Sequence, residues 1–186
     1  RRVHSMQAQE LDLKQFKPSV EISKLISRIG GKIPKNIDKD KYDTILRLYD
    51  SALESIALRL EKDDIAKHVC FNSLTFNDIY FDGNKQVKIS NHSLLGVNDY
   101  IWDYACLIAR SSDMTTYLAM LHNNQIVPEL TEWYSDKHAA TRLVVSIALV
   151  DMLDILNSIA MSTSAEIQNV SYINTRIDRL IRFVTQ

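Results

Sequence analysis

Only seven of 186 residues are glycine or proline, four of the first and three of the second. These are the residues that interrupt regular backbone, so a chain this poor in them is expected to form long, unbroken elements, most of them helices. A folded chain of this length buries roughly 70% of the surface its unfolded form exposes. It therefore needs neither disulfides nor a structural metal to hold a core. With 46% hydrophobic and 24% charged residues the composition is that of an ordinary globular protein and excludes a long disordered tail.

Hydrophobic spacing locates the elements. Val20, Ile22, Leu25, Ile26 and Ile29 follow helical periodicity, with Ser19 as the expected N-cap and Gly30-Gly31 as the left-handed stop. A polar connector from Lys32 to Lys41 carries Pro34. A strongly amphipathic helix follows, with Tyr42, Ile45, Leu46, Tyr49, Ala52, Leu53, Ile56, Ala57 and Leu60 on its inner face. Asp43, Arg47, Asp50 and Glu54 form its solvated side. The texture changes at His68. Asp78–Asp82 and Gln86–Ser90 are short β-prone runs separated by Gly83-Asn84-Lys85, the pattern of a β-hairpin. Helical spacing resumes after Asn98, with further helices expected near 114–121, 128–134, 138–161 and 170–184.

Charge and apolar runs narrow the function classes. Twenty-two Lys and Arg against 23 Asp and Glu leave a formal charge of −1, which removes the electrostatic case for a nucleic-acid binder. Arg1-Arg2-Val3-His4-Ser5-Met6 is basic, but no apolar signal-peptide core follows it. The stretch Leu143–Leu156 is interrupted by Ser146, Asp151 and Asp154, so no membrane span is expected. Cys70 and Cys106 have no CxxC partner and read as reduced, buried thiols, which points to the cytoplasm. His68, His92, His122 and His138 lack metalloenzyme spacing, and Met114, Met120, Met152 and Met161 sit at packing positions. The abrupt, mid-helical opening is expected of a piece of a longer polypeptide.

The informative segment runs Cys70-Phe71-Asn72-Ser73-Leu74-Thr75-Phe76-Asn77-Asp78-Ile79-Tyr80-Phe81-Asp82-Gly83. It continues through Val87-Lys88-Ile89-Ser90-Asn91-His92-Ser93 to Tyr100-Ile101-Trp102-Asp103-Tyr104-Ala105. This order resembles the C-terminal lobe of the choline/ethanolamine kinase and aminoglycoside phosphotransferase family, a branch of the protein-kinase-like fold. That family has a catalytic loop of the form H-(N/G)-D-x-x-x-x-N leading into a hairpin. An I-D-(F/Y)-E metal motif follows, and then a helix opening on aromatic-Asp-x-Ala. His4-Ser5 is similar to the Leu-His-Ser that closes an earlier helix in choline kinases.

The resemblance implies Mg²⁺ and ATP as cofactors and transfer of a phosphoryl group to an alcohol. In such chemistry one carboxylate takes the hydroxyl proton, while an Asn and an Asp hold the metal against the phosphates. This chain departs from the pattern. Ser73 stands at the catalytic Asp position, Asp78 at the metal Asn, Asn91 at the metal Asp and Phe71 at the loop His. A register shifted by one would instead put Asn72 and Asn77 at the base and metal positions. Asp78 and Asn91 together retain one carboxylate and one amide, read either as a weak metal pair or as a structural pair. Asp103 matches a family Asp that braces the catalytic loop; a helix N-terminal carboxylate favoured by the macrodipole is the other reading. The cationic-amine pocket of choline kinases would fall to Trp133, Tyr134 and Trp102, rimmed by Glu129 and Glu132, with half-buried packing as the alternative. No Gly-rich loop or strand lysine stands upstream to hold phosphates.

The expected fold is therefore mainly α with a small β-hairpin, similar to the C-lobe of a protein-kinase-like phosphotransferase. Residues 1–186 are taken as a single C-lobe domain without an N-lobe. Within it, 1–67 are leading helices, 68–93 a degenerate catalytic loop and hairpin, and 98–186 a helical bundle. Expected partners are a small cationic amine such as choline, a missing N-lobe or a protein partner, with neither nucleic acid nor membrane. The functional expectation is an impaired ATP-dependent phosphotransferase acting on choline, ethanolamine or a similar amino alcohol. The rival readings are a pseudokinase or helical protein-binding module without catalysis, and a plain helical interaction domain whose resemblance is accidental.

Overall fold

The computed structural model describes residues 12–62, 65, 67–90, 92–111, 138–161 and 170–185. The chain is mainly helical, with two small antiparallel sheets. It divides into two compact units, one of residues 1–16 and 63–147, the other of 17–62 and 148–186. Helices expected near 114–121 and 128–134 lie outside the described residues.

In the second unit, helix α1 spans Pro18–Ile29. Proline suits a first helical position because the N–H it lacks would have no helical partner there. The stop is the expected one: Gly30 is left-handed at φ 53° and its N–H donates to the Ile26 carbonyl at 3.0 Å. The start is not. Ser19 lies inside the helix rather than capping it, and Lys17 occupies the N-cap without a side-chain bond. The Ser19 N–H and hydroxyl both donate to the Glu61 carboxylate, at 2.7 and 2.8 Å. A carboxylate 42 residues away thus satisfies a donor that sequence reasoning assigned to a local cap.

The amphipathic helix expected over 42–60 is broken in its middle. Helix α2, Lys39–Leu48, starts at Asp38, whose side chain accepts from the N–H groups of Asp40 and Lys41. A π-helical turn, Tyr49–Leu53, follows, and α3 runs Glu54–Leu60. The buried positions Ile45, Tyr49, Leu53 and Ala57 are four apart. On a 3.6-residue helix each such step drifts by about 40°, and a wider turn absorbs the drift, keeping all four on the core side.

Helix α5, Ala139–Met161, is apolar on nearly all sides. It is long and apolar enough to cross a membrane by length and composition, contrary to the reading from its polar interruptions, but most of it is buried inside the protein. The boundary between the two units falls within it. Helix α6, Val170–Thr185, buries Ile173, Ile177 and Leu180. Asp151, buried in the second half of α5, accepts from Arg176 Nη2 at 2.5 Å and Arg179 Nε at 2.9 Å. Lys41 of α2 pairs with Asp178 of α6 at 2.6 Å.

In the first unit, β1 (His68–Cys70) pairs antiparallel with β4 (Gly96–Asn98), in register His68 with Asn98 and Cys70 with Gly96. The segment at Gln15 adds a parallel bridge to Val97. Gly96 is required there, because a Cβ would stand 2.9 Å from the Lys14 carbonyl oxygen. The expected hairpin is present as β2 (Ile79–Phe81) and β3 (Val87–Ile89), with Tyr80 opposite Lys88 and Phe81 opposite Val87. Helix α4 spans Ile101–Ala109.

Candidate functional site

The loop between β1 and β2 is held from below by the first turns of α4. Asp103, 3% exposed, accepts from the Phe71 N–H at 3.0 Å and from the Asn72 N–H at 2.9 Å, one carboxylate oxygen for each. The indole Nε1 of Trp102 donates to the Asn72 carbonyl at 3.2 Å, and the Cys106 thiol lies 3.5 Å from the same oxygen. Three side chains of one short helix thus converge on the backbone of two consecutive residues.

Asn72 is the pivot. It is left-handed at φ 60°, a conformation asparagine adopts more readily than most residues. Its side-chain amide donates to the Cys70 and Leu94 carbonyls at 3.2 and 2.9 Å, and its oxygen accepts from Asn98 Nδ2 at 3.0 Å. The amide therefore ties the loop both to β4 and to the segment leading into β4. Burial and these bonds commit Asn72, which the register shifted by one places at the base position, to the interior. Asn77, its companion in that register, is exposed on the 3₁₀ turn Phe76–Asp78.

Next to this network, Asp99 accepts from the Ile101 N–H at 3.2 Å and from Arg142 Nε at 2.6 Å. It thereby joins the start of α4 to the first part of α5. Neither Asn72, Asn98 nor Asp99 was singled out as a pivot by the sequence. The bonds of Asn72 to Leu94 and to Asn98, and of Asp99 to Arg142, span 22 to 43 residues of sequence, so no local spacing marks these bonds.

Ser73 follows directly, half-buried. The Asp78 Oδ2 accepts from the Thr75 N–H at 2.8 Å and the Thr75 hydroxyl at 2.7 Å, which closes the 3₁₀ turn as a capping box. The Ser90 N–H donates to the Asp78 carbonyl at 2.9 Å, so the ladder brings the end of β3 against the end of the loop. Asn91, Trp133, Tyr134, Glu129 and Glu132 lie outside the described residues. Trp102 is 2% exposed, bonded through its indole to Asn72 and packed against Phe16 with ring centroids 5.6 Å apart. That corrects its expected place in a ligand cage, because a cation–π site needs an accessible ring face. Phe71, at the loop His position, meets His92 edge-on at 5.5 Å.

Of the two residues expected to hold Mg²⁺, Asp78 is the one described. Among the described residues no three His, Cys, Asp or Glu side chains gather to hold a metal. One oxygen of Asp78 is committed to Thr75, whereas Mg²⁺ on a nucleotide is held through carboxylates backed by phosphates. In the other unit an open groove of about 550 Å³ runs between α1 and α3, lined by Ser19, Val20, Ser23, Lys24, Glu54 and Leu58 among others. It holds none of the expected site residues.

Cys70 is fully buried beside this network, its thiol near the Asn98 and Asp99 carbonyls. Burial pushes that thiol well up, and the charges of Asp103 and Asp99 push it further. The folded thiol therefore keeps its proton where the unfolded thiol, with a value of about 8.5, gives it up. Stability should fall as pH rises past that value, by about 1.4 kcal/mol per pH unit, before the buried Tyr42 and Tyr49 add to the loss above about pH 10. Urea midpoints between pH 8 and pH 10 should show this slope in the wild type and a shallower one in Cys70→Ala.

Comparisons with protein families, with curated proteins and with solved structures returned no match.

Proposed function

We propose that this chain is a kinase-like C-lobe of the choline/ethanolamine kinase and aminoglycoside phosphotransferase type in which the catalytic loop serves as scaffold, a pseudokinase module rather than a working phosphotransferase. One observation carries this reading. Asp103 grips the two backbone N–H groups immediately before Ser73, as the family resemblance implies for its brace, yet the residue it positions is a serine. A neutral serine hydroxyl does not take a proton from a substrate alcohol as a carboxylate does. Loss of a general base costs typically 10²–10⁴-fold. The Asp78 carboxylate, at the metal-amide position, is engaged in a turn instead. Retained supports around a neutral residue favour a loop kept for its shape.

The two strand pairs add support. A loop leaving β1, a hairpin β2–β3, and a return strand β4 that pairs with β1 and leads into the bracing helix form one continuous unit. An accidental resemblance predicts instead that the segment Cys70–Asn91 does not form a loop and hairpin facing an open cleft.

The test is phosphoryl transfer. The protein, supplied with Mg²⁺·ATP and either choline or ethanolamine, should form ADP at the no-enzyme rate. Ser73→Asp should not raise that rate. Measurable turnover in the wild type, increased tenfold or more by Ser73→Asp, would instead establish an impaired but genuine kinase.

A further inference from the structure

We draw no further inference here: the strongest candidate, the exposed apolar face of the β2–β3 hairpin on which Phe81 and Val87 pair across the strands, carries nothing because no feature of the structure shows what covers it.

Discussion

Replacing Asp103 by alanine should destabilise the protein by about 3–5 kcal/mol, a large fraction of a typical margin of about 5–15 kcal/mol. The side chain is buried and accepts two backbone N–H groups, each in a hydrogen bond to a charged acceptor. Such bonds contribute about 1.5–3 kcal/mol apiece. Truncation leaves the Phe71 and Asn72 amides without this acceptor, at a left-handed Asn72 whose carbonyl and side-chain bonds remain. At about 2–4 °C per kcal/mol for a chain of this size, the melting temperature should drop by about 10 °C. Asp103→Asn keeps one acceptor oxygen but turns an NH₂ toward the other amide, so its cost should be intermediate. The loop should loosen before the protein unfolds. In Asp103→Asn, the Phe71 and Asn72 amides should therefore exchange with deuterium much faster than those of α5. Wild-type exchange and stability in both variants would show that the carboxylate is a helix-end ornament and not a brace.

Asp151→Ala should cost a similar amount, about 3–5 kcal/mol, for a different reason. Asp151 is 1% exposed and accepts from both Arg176 and Arg179. Burial pulls the Arg176 guanidinium down, but the Asp151 and Asp154 charges and the bond to Asp151 outweigh it and hold the group charged. Without Asp151, Arg176 keeps Asp154 at 3.0 Å and the Tyr172 hydroxyl at 3.0 Å, yet faces the apolar side of α5 with an uncompensated part of its charge. Arg179 is 28% exposed at its side chain and can turn to water, so little of the penalty falls on it. Removing both partners should cost far less than removing one. Asp151→Leu with Arg176→Met, of similar volume, should recover most of the loss, because replacing a buried ion pair by packed apolar groups is often neutral or stabilising. Urea unfolding of the two single variants and the double variant gives this comparison. A double variant as unstable as the singles would mean that packing of α6, and not charge burial, sets the cost.

The sequence made the helices legible wherever a local pattern carried them. The Gly30-Gly31 stop, the hairpin around Gly83 and the apolar run of α5 all state their structure within a few residues. The π-helical turn had no such signal: the buried series Tyr42, Ile45, Tyr49, Leu53, Ala57 and Leu60 averages about 3.6 residues per step, the α-helical period. The pairing of β1 with β4 had no local signal. His68-Val69-Cys70 and Gly96-Val97-Asn98 are three residues each, too short for alternation to register, and their contact is made across the loop and hairpin.

The same division governs the site. Asp103 stood out in the sequence because its place in the order of motifs does not depend on seeing its partners. Asn72 entered the sequence reading only through the register shifted by one, which places it at the base position. Three dimensions show its amide bonded to carbonyls on two sides and to Asn98. For Trp102 the sequence left a ligand cage and half-buried packing both open. An aromatic residue beside an acidic one suggests a cation site, whereas here both belong to one helix turn that grips the loop, the ring through its N–H and the carboxylate through its oxygens.

The claim that the loop is a scaffold without a working metal–nucleotide site is tested most directly by thermal unfolding in millimolar Mg²⁺·ATP, with and without choline. A ligand present at 100 times its dissociation constant adds about 2.7 kcal/mol, which corresponds to roughly 5–10 °C for a chain of this length. The account predicts a melting temperature unchanged to within a degree by Mg²⁺·ATP. A Mg²⁺-dependent rise of several degrees with ATP, abolished by Asp78→Ala, would contradict it.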